Sequence, residues 1–253
     1  MTCHDAVMRI GDASLAHVGR LRGEISASKN DSLEQGAGRF TSSFTSHFES
    51  VVLCRMFVVL GLQELPEAER AAASAVAGAK TVLGPDTRVL SLLATRGRKA
   101  AWNDRQLSRE HRAIPLIDRS FVQGAPMIAK LLSDLEVDLA SLGEGKPIAT
   151  RRMLGGANVT FYVPDAPNAR DDHGRPIIPA RDFVEEFGIK TVFGMGGAYL
   201  GGELVVAIVF TSESVDRATV DRFPSLIGSF KMSTAPLVES GSIFAARPGS
   251  GPG

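Results

Sequence analysis

One strand–turn–strand unit carries the clearest structural signal in the chain: residues 189–211 read IKTVFGMGGAYLGGELVVAIVFT. Residues 189–200 predict a strand, and Gly201-Gly202 then supplies two residues that tolerate positive φ, as a tight primed hairpin turn requires. Residues 203–211 form a nearly continuous apolar run that is rich in β-branched side chains. Such a run is typical of a central strand that is covered on both faces.

Further strands and helices surround this unit. Strands are predicted at 51–60, where only Arg55 interrupts the apolar run, and at 88–95, 113–116 and 159–163. The proline in residues 113–116 argues for an edge strand. Pro66 and Pro126 each open a helix, because a fixed φ suits the first turn. A long amphipathic helix closes the chain, with helical spacing at Phe223, Ile227, Phe230 and Leu237. Strand pairs with helices at the ends predict an α+β fold with an antiparallel sheet.

The N-terminal residues differ from the rest of the chain. They carry one apolar stripe, which consists of Ile10, Leu15, Val18, Leu21 and Ile25. At about 1.5–3 kcal/mol per large apolar side chain, this stripe must be buried against the body of the protein or against a second copy. We therefore treat residues 1–48 as an N-terminal helical segment, with homodimerisation and packing on the chain's own sheet both open. Residues 245–253 are rich in glycine and proline, which predicts a disordered tail.

Composition excludes several classes of function. The chain has 253 residues, and 28 basic residues balance 28 acidic ones, so no net charge attracts nucleic acid or an anionic membrane. Cys3 and Cys54 form neither a metal pattern nor a disulfide framework. No run of about 18 apolar residues is present, and the N-terminus lacks a signal-peptide hydrophobic region. We expect a cytoplasmic protein without a membrane segment.

Several stretches resemble the GAF-like sensor domains of bacterial multidomain (hybrid) histidine kinases. They read FGMGG at 193–197, ELVVAIVF at 203–210, WNDR at 102–105, FYVPD at 161–165 and IPARDFV at 178–184. The similarity spans about residues 49–244, and it implies a GAF/PAS-like central antiparallel sheet with helices on one side and a ligand pocket on the other. No kinase, cyclase or DNA-binding module follows, so we expect a stand-alone sensor that signals to a histidine kinase or response regulator.

The segment 96–119 is the best candidate for ligand binding. Its arginines are interspersed with Trp102 and His111, so that bidentate guanidinium groups lie near a flat apolar platform. The alternative is a solvated basic loop whose charges meet Asp104, Glu110 and Asp118 in surface pairs. With the GAF-like resemblance, the predicted pocket residues are Trp102, Arg105, His111, Arg112, Phe161, Tyr162 and Phe193.

Cofactor motifs are weak. The sequence places no second ligand at metal-site spacing from His111, which favours a structural hydrogen-bonded histidine, although haem and flavin both remain open. Residues 171–174 read DDHG and predict a turn rather than a metal site, within a polar loop at 164–179 that is a candidate lid. Tyr199 stands where a dinucleotide-binding glycine motif needs its third glycine. We assign no catalytic and no metal-binding residue.

The sequence thus predicts a sensory or regulatory protein that binds a small molecule and shifts the packing of its terminal helices. A redox or hydrolytic enzyme on the same scaffold is one alternative, and it requires a convergent nucleophile and base. A ligand-free protein-interaction module is the other, and it requires a fully packed interior.

Overall fold

The computed structural model describes residues 7–108, 111–138, 142 and 159–245. Within these ranges the chain forms a six-stranded antiparallel sheet with the order β3-β2-β1-β6-β5-β4. The strands are β1 Val51–Gly61, β2 Arg88–Gly97, β3 Ala113–Pro115, β4 Val159–Val163, β5 Thr191–Ala198 and β6 Leu204–Thr211. The predicted α+β class with a central antiparallel sheet is confirmed, and β3 is an edge strand as its proline predicts.

The β5–β6 hairpin lies in the middle of this sheet. Strand β6 is buried along its whole length between β1 and β5, as its apolar run predicts. The predicted two-residue primed turn is wrong. The Tyr199 N–H donates to the Glu203 carbonyl at 2.8 Å, which leaves a three-residue loop. Of the two turn glycines only Gly202 adopts a positive φ, 98°, as a type I turn followed by a left-handed residue requires.

Helices occupy both faces of the sheet. They are α1 Leu15–Ala27, α2 Leu33–His47, α3 Glu67–Ala77, α4 Arg119–Gln123, α5 Pro126–Asp134, α6 Arg181–Glu186, α7 Arg217–Val220 and α8 Pro224–Glu239. The starts predicted at Pro66 and Pro126 are confirmed, since α3 follows Pro66 directly and α5 begins at Pro126. The predicted closing helix is confirmed as α8, which begins at Pro224, and the short helix α7, capped by Asp216, precedes it.

The first sheet face is covered by α1, α2 and α8. Its core contains a group of phenylalanines with ring centroids 5.4–5.9 Å apart: Phe40, Phe44, Phe48, Phe193, Phe223 and Phe230. The N-terminal stripe is buried at Val18, Leu21 and Ile25, and α1 packs on α8. The same chain therefore covers most of this stripe, and its helices share one core with the sheet.

The second sheet face is covered by α4, α5, α6 and the loops around them. Their apolar side chains form a separate core with Leu92, Phe161 and Val206. The resemblance implied helices on one side of the sheet, whereas short helices lie on this side as well. Among the described residues, no helix has the length and apolar character to cross a bilayer. Most of the predicted tail lies outside the described residues.

Candidate functional site

A cavity of about 480 Å³ lies against the second sheet face. Leu53, Arg55 and Thr95 contribute its sheet side, and residues 101–108, His111 and the start of α6 form its walls. Most of the described lining is apolar or aromatic. Small-molecule sites typically measure about 300–1,000 Å³ and combine such a lining with a few polar groups.

Trp102 is fixed in the cavity wall by its aromatic neighbours. Its ring lies 5.5 Å from Phe183 and 4.8 Å from Phe187, and the Lys99 ammonium lies 5.6 Å from the ring centroid. Gly97 makes room for this ring, because a Cβ atom there would lie 2.8 Å from it and equally close to the Val52 carbonyl oxygen. A platform held in this way loses little freedom when a ligand packs on it.

Two polar side chains of the cavity have unsatisfied atoms. Arg55 and Thr95 are directly paired on β1 and β2, so they lie on the same sheet face. The Arg55 Nε and the Thr95 Oγ1 are buried without a hydrogen-bond partner. Burial lowers the pKa of the Arg55 guanidinium to about 10, so the group stays charged at neutral pH. Its charge is not matched by any acidic side chain in the described lining.

Arg105 lies on the other side of the same wall segment and is fully paired. Its Nη1 donates to Glu69 Oε1 at 2.7 Å, and its Nε donates to Glu34 Oε1 at 2.7 Å. Arg112 also donates to Glu69, at 2.9 Å from Nη2, and Phe244 lies 5.1 Å from the Arg105 guanidinium. This cluster joins the cavity wall to α2, to α3 and to the residues after α8.

Burial and charge oppose each other in this cluster. Burial alone would raise the pKa of the Glu69 carboxyl, but hydrogen bonds and charge from Arg112 and Arg105 outweigh it and hold the pKa below its ordinary value. Burial alone would lower the pKa of Arg105, but Glu34 and Glu69 outweigh it and raise the pKa. The side chain of Glu69 has 0% exposure, so these pairs are shielded from solvent.

The structure brings two of the predicted pocket residues together in the cavity. Trp102 and His111 both line it. Arg105 and Arg112 do not; they bind Glu69 instead, so they act in ion pairs within the protein. The sequence suggested either ligand binding or surface ion pairs for these arginines. Their buried ion pairs with Glu69 are a third arrangement.

The other three predicted residues are dispersed. Phe161 is buried in the core of the second sheet face, and Phe193 is buried on the first face, away from the cavity. Tyr162 donates its hydroxyl hydrogen to the Val215 carbonyl at 2.7 Å. Alternation along β4 and β5 accounts for this separation, because successive side chains point to opposite faces.

Arg55 and Thr95 are functional candidates that were not predicted from the sequence. The available signal was a single arginine in an otherwise apolar strand. A register shift between Met56 and Phe57 against β2 places a bulge next to Arg55. Bulges often re-aim side chains beside binding sites.

Other candidate sites are weaker. A groove of about 560 Å³ between α1, α2 and α8 is lined largely by serines and threonines, and its Arg39 and Arg96 are exposed. The predicted turn at 171–174 is confirmed: Asp171 accepts hydrogen bonds from the backbone N–H groups of His173 and Arg175. In the described part of the chain no cluster of side chains fits a metal ion.

No family model matches the chain, and no curated protein matches it. Among solved structures, it is similar to the phycocyanobilin-bound GAF domain from a cyanobacterial phytochrome, with 10% identity and a TM-score of 0.43, over 90% of this chain and 98% of that one. The phycoerythrobilin-bound GAF domain from a cyanobacterial phytochrome is similar too, at 10% identity and a TM-score of 0.42, over 90% and 98%. Similarity this low assigns no ligand to the chain.

The buried pairs of Glu69 predict a pH-dependent effect of Glu69→Gln. Because the folded-state pKa of Glu69 is lowered, its contribution to stability is present above its unfolded pKa of about 4.3 and is lost as pH falls through the folded pKa. At pH 7 we expect Glu69→Gln to lower the free energy of unfolding by about 3–5 kcal/mol. Urea titrations at several pH values measure the difference from wild type, which should narrow below about pH 4.

Glu67→Gln is the matched control, because Glu67 lies on the same helix and is exposed. It should change the free energy of unfolding by less than about 0.5 kcal/mol. A Glu69→Gln penalty as small as that of the control, or one that does not vary with pH, would contradict the role given to these ion pairs.

Proposed function

We propose that this chain is a sensory domain that binds a small molecule in the cavity beside Trp102 and His111. One observation carries this proposal: the segment 101–108 walls the cavity on one side and holds the Arg105 cluster on the other. A ligand that packs on Trp102 therefore acts on a segment with ion pairs to α2 and α3. Binding and response are linked by a single short piece of chain.

The alternatives fit the cavity less well. A ligand-free interaction module requires a packed interior, whereas this cavity has the size and apolar lining of a ligand site. Cys54 is a poor reactive thiol for a redox enzyme, because burial raises its pKa and keeps it protonated and inert.

The response would pass to the start of α2 and to the residues after α8. Glu34 lies in the first turn of α2, and its side chain accepts a hydrogen bond from the Ala245 N–H at 3.0 Å. The backbone N–H groups of Leu33 and Glu34 donate to the carbonyls of Ser242 and Ile243 at 2.9 and 2.8 Å. A shift of Arg105 would change how these residues after α8 are held, and ligand binding would favour one arrangement over the other.

Further parts of the proposal rest on the sequence resemblance. It supports a cytoplasmic signalling role with a histidine kinase or response regulator as partner. Homodimerisation through the N-terminal segment is supported by the exposed apolar side chains of Val7 and Leu15, which are 54% and 73% exposed.

Light scattering after size exclusion tests the dimer. We expect the wild type to run as a dimer, and Leu15→Asp to run as a monomer because a charge on the contact disfavours association. Leu200→Asp is the control, since Leu200 is 88% exposed at the hairpin tip, far along the chain from α1. A monomeric wild type, or a Leu15→Asp variant that stays dimeric, would rule out this contact.

Native mass spectrometry and an absorption spectrum of freshly purified protein test ligand binding. We expect a small molecule that stays bound in the native spectrum and is lost on denaturation, and a visible band would identify haem or flavin. Leu53→Phe should release it, because Leu53 lines the cavity and a larger ring fills that space. Leu200→Phe makes the same change on an exposed loop and should retain it.

The contradicting result has two parts. The wild type would carry no extra mass, and wild type and Leu53→Phe would melt at the same temperature in a protein-free metabolite extract. Since a ligand that binds only the native state stabilises it, a real site would separate the two melting temperatures.

A further inference from the structure

Arg55 is a charged side chain without a partner in the interior of the sheet. It lies in β1, which is paired with β2 on one side and β6 on the other. The residue as a whole is only partly buried and lines the cavity, but its Nε is buried and makes no hydrogen bond. A desolvated charge is costly unless it is paired, so a partly buried arginine with an unsatisfied Nε in a cavity wall is suited to bind a counter-charge that comes from a ligand.

Thr95 repeats the same pattern on the neighbouring strand. It is 6% exposed, and its Oγ1 also lacks a hydrogen-bond partner. Since Thr95 is the direct register partner of Arg55, the two unsatisfied groups lie next to each other on the cavity side of the sheet. Buried polar atoms in native proteins are nearly always satisfied, and two adjacent exceptions in one cavity point to a common missing acceptor.

We propose that the ligand of this cavity carries a carboxylate, which Arg55 and Thr95 bind. This inference rests on the proposed function, since it requires a ligand in the cavity. A planar carboxylate can accept two parallel hydrogen bonds from one guanidinium and a third from a neighbouring hydroxyl. The rest of the ligand is apolar, because it lies against Trp102, Met127 and Phe183.

The charge of the lining favours a carboxylate over a phosphate. Arg55 is the only lysine or arginine in the described lining, which also contains no aspartate or glutamate. One guanidinium balances one negative charge, whereas a phosphate carries closer to two and is usually held by several cationic or backbone donors.

Matched pairs of acids and amides test this inference. The probes are 4-phenylbutyrate, cyclohexylacetate and decanoate, each with its primary amide, which keeps the shape and removes the charge. None of the six absorbs where tryptophan is excited. Trp102 is the only tryptophan of the chain and lines the cavity, so its fluorescence reports binding at this site.

We expect at least one acid to bind the wild type about ten- to one-hundred-fold more tightly than its amide, as a charge-assisted contact predicts. Arg55→Met should remove this preference by weakening acid binding while amide binding is kept. Arg55→Lys should retain part of it, because the charge remains but the bidentate geometry is lost. Thr95→Val, which keeps the shape and removes the hydroxyl, should weaken acid binding by about ten-fold.

Arg96→Met is the matched control. Arg96 follows Thr95 directly, pairs with Cys54 rather than Arg55, and is exposed. This variant removes one guanidinium from β2, on the sheet face opposite the cavity, and should keep the preference for the acids. Without ligand, Arg55→Met should melt at a higher temperature than wild type, because it removes a partly buried charge with an unsatisfied Nε.

The outcomes separate the inference from the proposed function. Acids and amides that bind the wild type equally, or an Arg55→Met variant that keeps the preference, would overturn the carboxylate and leave the cavity as a ligand site. If none of the six probes changes Trp102 fluorescence, the inference fails, and native mass spectrometry with the melting comparison still decides the proposed function. If Arg55→Met does not fold, Arg55→Lys and Thr95→Val decide the question, since an unchanged preference in both would overturn the inference.

Discussion

The carboxylate of Glu69 lies with 0% exposure between the guanidinium groups of Arg105 and Arg112. Through Arg105 this interaction fixes the segment 101–108 against α3, and the second contact of Arg105, with Glu34, fixes the same segment against α2. Because the segment also forms a wall of the cavity, the shape of the cavity depends on these buried ion pairs. Removing one partner would leave an uncompensated charge in the protein interior.

The buried Arg105 and the partly buried Arg55 differ in how their charge is compensated. Arg105 is satisfied by two carboxylates and stacks near Phe244, so its charge contributes to holding the fold together. Arg55 is left without a partner in the described structure, and burial lowers its pKa. Sites that bind ligands often retain such destabilising groups, because the ligand supplies the missing interaction. Arg105 therefore stabilises the cavity wall, whereas the role that we propose for Arg55 is to bind the ligand.

The features that could be predicted from the sequence are those set by neighbouring residues. The β-branched run of β6 predicted a central strand, and Pro66 and Pro126 marked helix starts, because each of these signals is local. The turn was mispredicted since a glycine pair serves both a two-residue and a three-residue loop, and only the hydrogen bond of Tyr199 distinguishes them.

The site was harder to predict because its contacts are distant in sequence. Arg105 binds residues that lie 36 and 71 positions earlier, and no spacing rule connects them. Trp102 and His111 were recognised as pocket residues from their chemistry, whereas Arg55 was visible only as an interruption of an apolar strand. Recognising Arg55 as a site residue requires its pairing with Thr95. That pairing joins two strands that are separated in the sequence by a helix and loops.

We propose that a ligand in the cavity changes, through Arg105, how the start of α2 and the residues after α8 are held. Hydrogen–deuterium exchange of the wild-type protein with and without saturating 4-phenylbutyrate measures this directly. The account predicts altered exchange in residues 101–108, at the start of α2 and in residues 240–245, since all three are joined by Arg105 and Glu34. Changes confined to the residues that line the cavity would contradict it.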